Sequence, residues 1–180
     1  MKRVGPPIPS PDGKWAVFSV TLPAYDAKDQ TADLWLVPTD GSKAPRQVTH
    51  TKATEAGMAW SPDGARVAFS SKRDGDEAAQ LYVIDLVRGG EAERVTSLST
   101  GARSPKWSPD GTKLMFLSEV YPGAADDETN QQAAKARKER KYNARVHDSF
   151  PIKYWDRWLD ERKAHLFVQA AHQAFRVAMG

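Results

Sequence analysis

Nucleophilic, acid–base and metal chemistry each need particular residues at particular spacings, and this sequence offers few of them. A serine nucleophile raised on a strained strand-to-helix turn requires Gly-x-Ser-x-Gly. Here Ser42 follows Gly41 but is succeeded by Lys43 and Ala44, while Ser99 and Ser104 flank Gly101 outside the pattern. The chain has no cysteine, which excludes thiolate nucleophiles, thiolate metal sites and disulfides within it. His50, His147, His165 and His172 show no metal-ligand spacing and no matched nucleophile, so solvated or structural roles are expected. Asp12, Asp63 and Asp110 are lone carboxylates, short of the several oxygens that calcium takes. The reading is therefore no catalytic residue, no cofactor and no metal site.

Two other stretches could make contacts. Tyr154, Trp155 and Trp158 form the densest aromatic cluster and would either line a peptide or domain contact or seal internal packing, with packing the better reading. Residues 130–142 are helix formers without Gly or Pro, and Lys135, Arg137, Lys138, Arg140, Lys141 and Arg145 make the stretch basic. Asp126, Asp127 and Glu128 lie at its acidic start, an order that suits a helix dipole. A solvated surface helix is expected, not a nucleic-acid interface, because no stacking aromatics or fold motif accompany it.

The elements that hold these residues announce themselves by repetition. Ser10-Pro11-Asp12-Gly13 recurs as Ser61-Pro62-Asp63-Gly64 and as Ser108-Pro109-Asp110-Gly111, with starts 51 and 47 residues apart. Trp60 and Trp107 precede the later copies, and Ile8-Pro9 precedes the first. Proline presets φ at the first corner, aspartate bonds nearby backbone, and glycine accepts the left-handed conformation that closes a hairpin. After each turn apolar residues alternate at period two, as Val67 and Phe69 do with Arg66 and Ala68. Further strands are expected at 34–37, 81–84 and 166–168, and short last strands at 46–49 and 94–96.

Together with the strand carrying Met58-Ala59-Trp60, each period supplies four short antiparallel strands, the content of one β-propeller blade. The expected fold is all-β: about three four-stranded antiparallel blades, roughly 1–50, 51–97 and 98–180, forming an incomplete ring. The gap from the turn serine to the next strand is 24 residues in the first unit, 20 in the second and 58 in the third. The third unit thus carries one mainly helical insertion at about 119–160.

Composition fits a packed domain, with 40% hydrophobic and 27% charged residues, and a net charge of +3 is too mild for a nucleic-acid binder. The apolar runs are all too short to cross a bilayer, and the start lacks a signal-peptide core. The expected location is cytoplasmic as written, or periplasmic if an export signal lies upstream.

These repeats resemble the propeller domains of TolB-like proteins and of prolyl oligopeptidase-family serine peptidases, both of which repeat Trp-Ser-Pro-Asp-Gly before an alternating strand. Lys2-Arg3-Val4-Gly5 and the stretch from Asp148-Ser149-Phe150-Pro151 to Trp158-Leu159-Asp160 look most like the acylaminoacyl-peptidase branch. The peptidase resemblance implies a propeller that caps a C-terminal α/β-hydrolase domain and limits entry to small or unfolded peptides. The partners it implies are a peptide substrate or the hydrolase domain of a full-length parent. The TolB resemblance implies instead a protein-binding scaffold with no enzymatic partner, and the repeat alone does not separate the two. The α/β-hydrolase domain is absent from 1–180, so a truncated member is expected, prone to self-association through its open blade edges. No nucleic-acid or membrane partner is expected.

Overall fold

The computed structural model describes residues 1–26, 29–139, 153–154, 157–158 and 162–171. The first sheet contains β1 (Arg3–Val4), β2 (Ile8–Pro9), β3 (Trp15–Leu22), β4 (Thr31–Pro38) and β5 (Arg46–Gln47). Both β1 and β2 pair antiparallel with β3, Val4 opposite Val20 and Ile8 opposite Val17, so they act as one interrupted strand. The second sheet runs in order β6 (Glu55–Trp60), β7 (Arg66–Ser71), β8 (Gln80–Asp85) and β9 (Glu93–Arg94). The third begins with β10 (Arg103–Trp107) and β11 (Lys113–Val120). An insertion then contributes α1 (Asp127–Lys138) and a hairpin of β12 (Lys153–Tyr154) and β13 (Arg157–Trp158). The chain returns as β14 (Lys163–Ala170), antiparallel to β11. The fold is all-β blades of an unclosed propeller, with one helix among the described residues.

Three details sharpen or depart from the sequence reading. The last strands are two residues long, because Thr49 and Thr96 continue the ladder with side chains in place of backbone. Val48 and Val95 still donate their N–H groups to Leu34 and Leu81, but the Leu34 and Leu81 N–H groups donate to the Thr49 and Thr96 hydroxyls, each at 2.9 Å. The helix starts at Asp127, in the acidic stretch, where Asp126 and Thr129 form a reciprocal capping box that satisfies its first donors. The third sheet has three strands among the described residues, and 172–180, where a fourth would fall, lie outside them.

The apolar core sits between sheets rather than inside any one of them. Val67, Phe69, Tyr82 and Ile84 of the second sheet pack against Val17, Leu34 and Leu36 of the first. Their alternates Ala68 and Leu81 pack with Trp107, Leu114 and Phe116 of the third. Period-two alternation in a central blade thus separates two buried faces instead of a buried face and a wet one. Phe69, Leu34, Leu81 and Leu114 are fully enclosed, and truncating any such side chain to alanine costs roughly 2–5 kcal/mol.

The first strand of each sheet bends at the same place. Register slips between Ala56 and Ala59 in β6 and between Arg103 and Lys106 in β10, where Gly57 has φ 64° and Ser104 φ 56°. In the first sheet the break between β1 and β2 falls at the corresponding position. Glycine suits this bulge and serine does not, so Ser104 holds local strain.

Candidate functional site

The Ser-Pro-Asp-Gly turns line one rim of the stack. In the first, Ser10 Oγ donates to Asp12 Oδ1 at 2.6 Å and accepts from Trp15 N at 3.0 Å, while Asp12 Oδ1 also accepts from Lys14 N. Ser61 with Asp63, and Ser108 with Asp110, repeat the arrangement, with Arg66 N and Lys113 N as donors to the serine. Gly13, Gly64 and Gly111 have φ of 70°, 69° and 68° and donate to the serine carbonyl. Donation from the serine hydroxyl and from backbone N–H groups holds the Asp12 and Asp63 carboxyls below their usual range and lowers Asp110, which Thr112 Oγ1 also serves, to about 2. The serine hydroxyl and the aspartate Oδ1 of each copy are engaged within their own turn.

Successive turns also touch. Trp60 Nε1 donates to Ile8 O at 2.9 Å, and Trp107 Nε1 donates to Ala59 O at 3.1 Å. Ile8 and Ala59 each stand two residues before a turn serine, so the same staple joins sheets one to two and two to three. Arg66 lies 4.6 Å over the Trp107 ring and donates to Gly111 O, extending the second contact.

The opposite rim carries the longer connections and most of the buried charge. Glu55, whose side chain is wholly enclosed, accepts from Thr49 Oγ1 and pairs with Arg73 at 3.1 Å. Arg73 also lies 4.3 Å over the Tyr82 ring. The Tyr82 hydroxyl donates to Asp76 at 2.7 Å, and Asp76 in turn pairs with Arg94 at 2.9 Å. Burial raises the Glu55 carboxyl despite the Thr49 and Arg73 contacts; burial and the Asp76 carboxylate push the Tyr82 hydroxyl up to about 12. Beside this network an open cleft of about 410 Å³ is lined by Thr51, Lys52, Ala53, Lys72, Arg73 and Asp74, giving it a cationic wall.

The insertion leaves from this same rim and is anchored at its base. Asp127 accepts from the Ser99 N–H and hydroxyl, and buried Asn130 bridges Thr100, the Glu119 carbonyl and Tyr121 N–H. Arg162, where the chain returns, lies 5.7 Å over the Tyr121 ring. Between α1 and the third sheet is a hollow of about 290 Å³ whose walls include Leu98, Asp126, Asn130, His165 and Phe167.

The structure therefore separates the residues singled out from sequence. Ser10, Pro11, Asp12, Gly13, Ser61, Pro62, Asp63, Gly64, Ser108, Pro109, Asp110 and Gly111 lie at the turn rim. Tyr154 and Trp158 fall on β12 and β13, on the opposite rim's insertion, and Trp155 lies outside the described residues. His147 and His172 also lie outside them, as do Arg140, Lys141 and Arg145. No cluster of three or more His, Cys, Asp or Glu suited to a metal occurs among the described residues. Sequence reasoning missed the Glu55–Arg73–Tyr82–Asp76–Arg94 network, whose members lie up to 39 positions apart and share no spacing rule. The repeated Val-Thr at 48–49 and 95–96 was its one legible trace.

Comparison with known proteins places these features in a group. The TolB beta propeller domain family (PD40) matches residues 2–148. A dipeptidyl-peptidase 5 of Porphyromonas endodontalis is 30% identical over 174 residues, 96% of this chain and 23% of that protein. The Porphyromonas gingivalis protein of the same name is 40% identical over 75 residues, 42% of this chain and 11% of its own length. The acylaminoacyl peptidase of Pyrococcus horikoshii superposes over 96% of this chain and 23% of its own, with a TM-score of 0.62 at 17% identity. The chain thus spans under a quarter of the length of these relatives.

Proposed function

The chain belongs to the TolB beta propeller family, related to the propeller portions of peptidases, and we propose that it gates peptide access to a hydrolase domain carried by the same polypeptide. The observation that carries this reading is the likeness to a dipeptidyl-peptidase 5 along 96% of the chain, through the insertion as well as the turns. A free-standing TolB-like scaffold would need only the blades. The long insertion between β11 and β14, with its anchored base and the cationic cleft on the same rim, is suited to meeting a neighbouring domain or an incoming peptide.

In this reading the blades do no bond-making. They supply a rigid frame, and the rim from which α1 leaves faces the hydrolase, so that folded proteins are excluded and short or unfolded peptides pass. Lys52 and Lys72 favour an anionic group there, such as a peptide C-terminal carboxylate. Separated from the remaining domains, the chain self-associates through its bare apolar faces. Location follows the parent protein, cytoplasmic or periplasmic according to its export signal.

The test is to read and express the polypeptide encoded downstream of Gly180. A domain bearing Gly-x-Ser-x-Gly followed by Asp and His, with activity on dipeptidyl or aminoacyl chromogenic substrates, supports the proposal. The 180-residue chain alone should hydrolyse none of them; serine-directed hydrolysis by this chain, or no downstream hydrolase, refutes it.

A further inference from the structure

Glu55 and Arg73 depart from the repeat that builds the blades. Glu55 stands six residues before its turn serine and Arg73 twelve after; the first blade has Val4 and Leu22 at those places, and the third has Ala102 and Val120. The places correspond in the sheets as well, Glu55 lying opposite Ser71 as Val4 lies opposite Val20. Two blades therefore fold with apolar residues where the second encloses a charged pair, at a desolvation cost that apolar side chains do not incur. Such a break in a fold's own pattern is expected where a site is built.

The site in reach is the cleft of about 410 Å³ that Arg73 lines together with Thr51, Lys52, Ala53, Lys72 and Asp74. Glu55 grips Arg73 by one contact: one carboxylate oxygen accepts from Arg73 Nη2 at 3.1 Å and Thr51 Oγ1 at 3.3 Å, and the other accepts from Thr49 Oγ1. Arg73 Nε is buried with no hydrogen-bond partner among the described residues, so the guanidinium has a donor to spare. Its position does not hang on Glu55 alone, because it lies 4.3 Å over the Tyr82 ring and 5.7 Å over the Phe69 ring and donates to the Ala92 carbonyl at 3.5 Å. Burial, and then the Asp33 carboxylate, favour the neutral form of Glu55 against the Thr49 and Arg73 contacts. Asp76, on the same connection as Arg73, is occupied by Tyr82 and Arg94.

Resting on the anion preference assigned above to Lys52 and Lys72, we propose that the cleft binds a peptide C-terminal carboxylate and that Glu55, acting through Arg73, sets how tightly. An ionised Glu55 cancels the Arg73 charge and leaves two lysines beside Asp74. A protonated Glu55 frees Arg73 as a third cation, with Nε and Nη2, which share one edge of the guanidinium, left for the two oxygens of a carboxylate. By linkage, the bound carboxylate draws a proton onto Glu55. Glu55 is thus a positioning residue that touches no ligand.

The experiment is equilibrium dialysis of the full chain against acetyl-Ala-Ala and against its C-terminal amide, at about pH 7.5 and about pH 5, where the peptide carboxylate stays ionised. The free acid should bind wild type about tenfold more tightly at the lower pH, and the amide should bind at neither. Glu55→Gln keeps the side-chain shape without the charge, so it should bind the free acid at the higher pH as tightly as wild type does at the lower, with no pH dependence left. His50 is the other titratable group beside the cleft, and His50→Gln should leave the rise in place. If Glu55→Gln does not fold, calorimetry of wild type in two buffers of different ionisation enthalpy takes its place and should show protons taken up with the free acid. Equal wild-type affinity at both pH values, a pH dependence that survives Glu55→Gln, or binding without proton uptake overturns the proposal and leaves the anion preference of the lysines standing. No binding of the free acid at either pH overturns both.

Discussion

Trp107 donates its indole N–H to the carbonyl of Ala59, 48 residues earlier, and Trp60 does the same to Ile8. Sequence alone marks both tryptophans as part of a turn motif, yet their polar end serves the neighbouring blade. Trp107→Phe keeps most of the ring packing and removes the indole donor to the Ala59 carbonyl, which should cost about 0.5–1.5 kcal/mol. Trp107→Ala should cost about 3–5 kcal/mol by emptying the second inter-blade core. Urea unfolding of both variants measures the difference.

Glu55 and Arg73 form an enclosed pair tying the second blade's first strand to its own connection. Glu55→Ala leaves a largely buried guanidinium without its carboxylate and should destabilise by about 3 kcal/mol, read by thermal and urea unfolding. Replacing both residues by apolar side chains should recover much of that loss, since neither desolvated charge then remains.

The turn aspartates set the acid limb of stability. Asp12, Asp63 and Asp110 have folded pKa values below their unfolded ones, Asp110 at about 2. Their contribution is therefore full above about pH 4 and is lost as pH falls through the folded values. Glu55 acts the other way: its raised folded pKa gives stability that is present at low pH and is lost as pH rises through that value. Asp110→Asn should flatten the decline in urea midpoint between about pH 4 and pH 2 and leave the profile near neutral pH unchanged in slope.

Ser104 has φ 56° where the equivalent bulge in the second blade uses Gly57 at φ 64°. Ser104→Gly should stabilise by roughly 0.5–1 kcal/mol, relief of left-handed strain outweighing the added unfolded-state entropy. The converse, Gly64→Val at φ 69°, should destabilise by about 1–2 kcal/mol, although its Cβ would meet nothing closer than Pro11 Cδ at 3.8 Å. Thermal melts of the two variants should therefore shift in opposite directions.

The blades were legible because their turns depend on local chemistry: proline, aspartate and glycine act within four residues, and Val67 and Phe69 alternate in view. The serine hydroxyl's bond to a backbone N–H five residues on was less visible, and shortened last strands were not, since Thr49 and Thr96 look like ordinary strand residues. The Glu55 network escaped because its partners, spread over 39 positions, converge only when the strands and the β7–β8 connection of one blade fold together. The acidic start of the helix was legible in Asp126, Asp127 and Glu128, whereas the capping box that Thr129 closes with Asp126 was not.

The central claim, that these blades gate a hydrolase, is tested most directly on the full-length polypeptide with residues 123–160 replaced by a short Gly-Ser linker. Hydrolysis is followed in parallel on a dipeptidyl chromogenic substrate and on a folded protein. Loss of the gate should raise cleavage of the folded protein at least tenfold while leaving kcat/KM for the small substrate within about twofold. Unchanged exclusion of the folded protein, with the small substrate still turned over, would contradict the account.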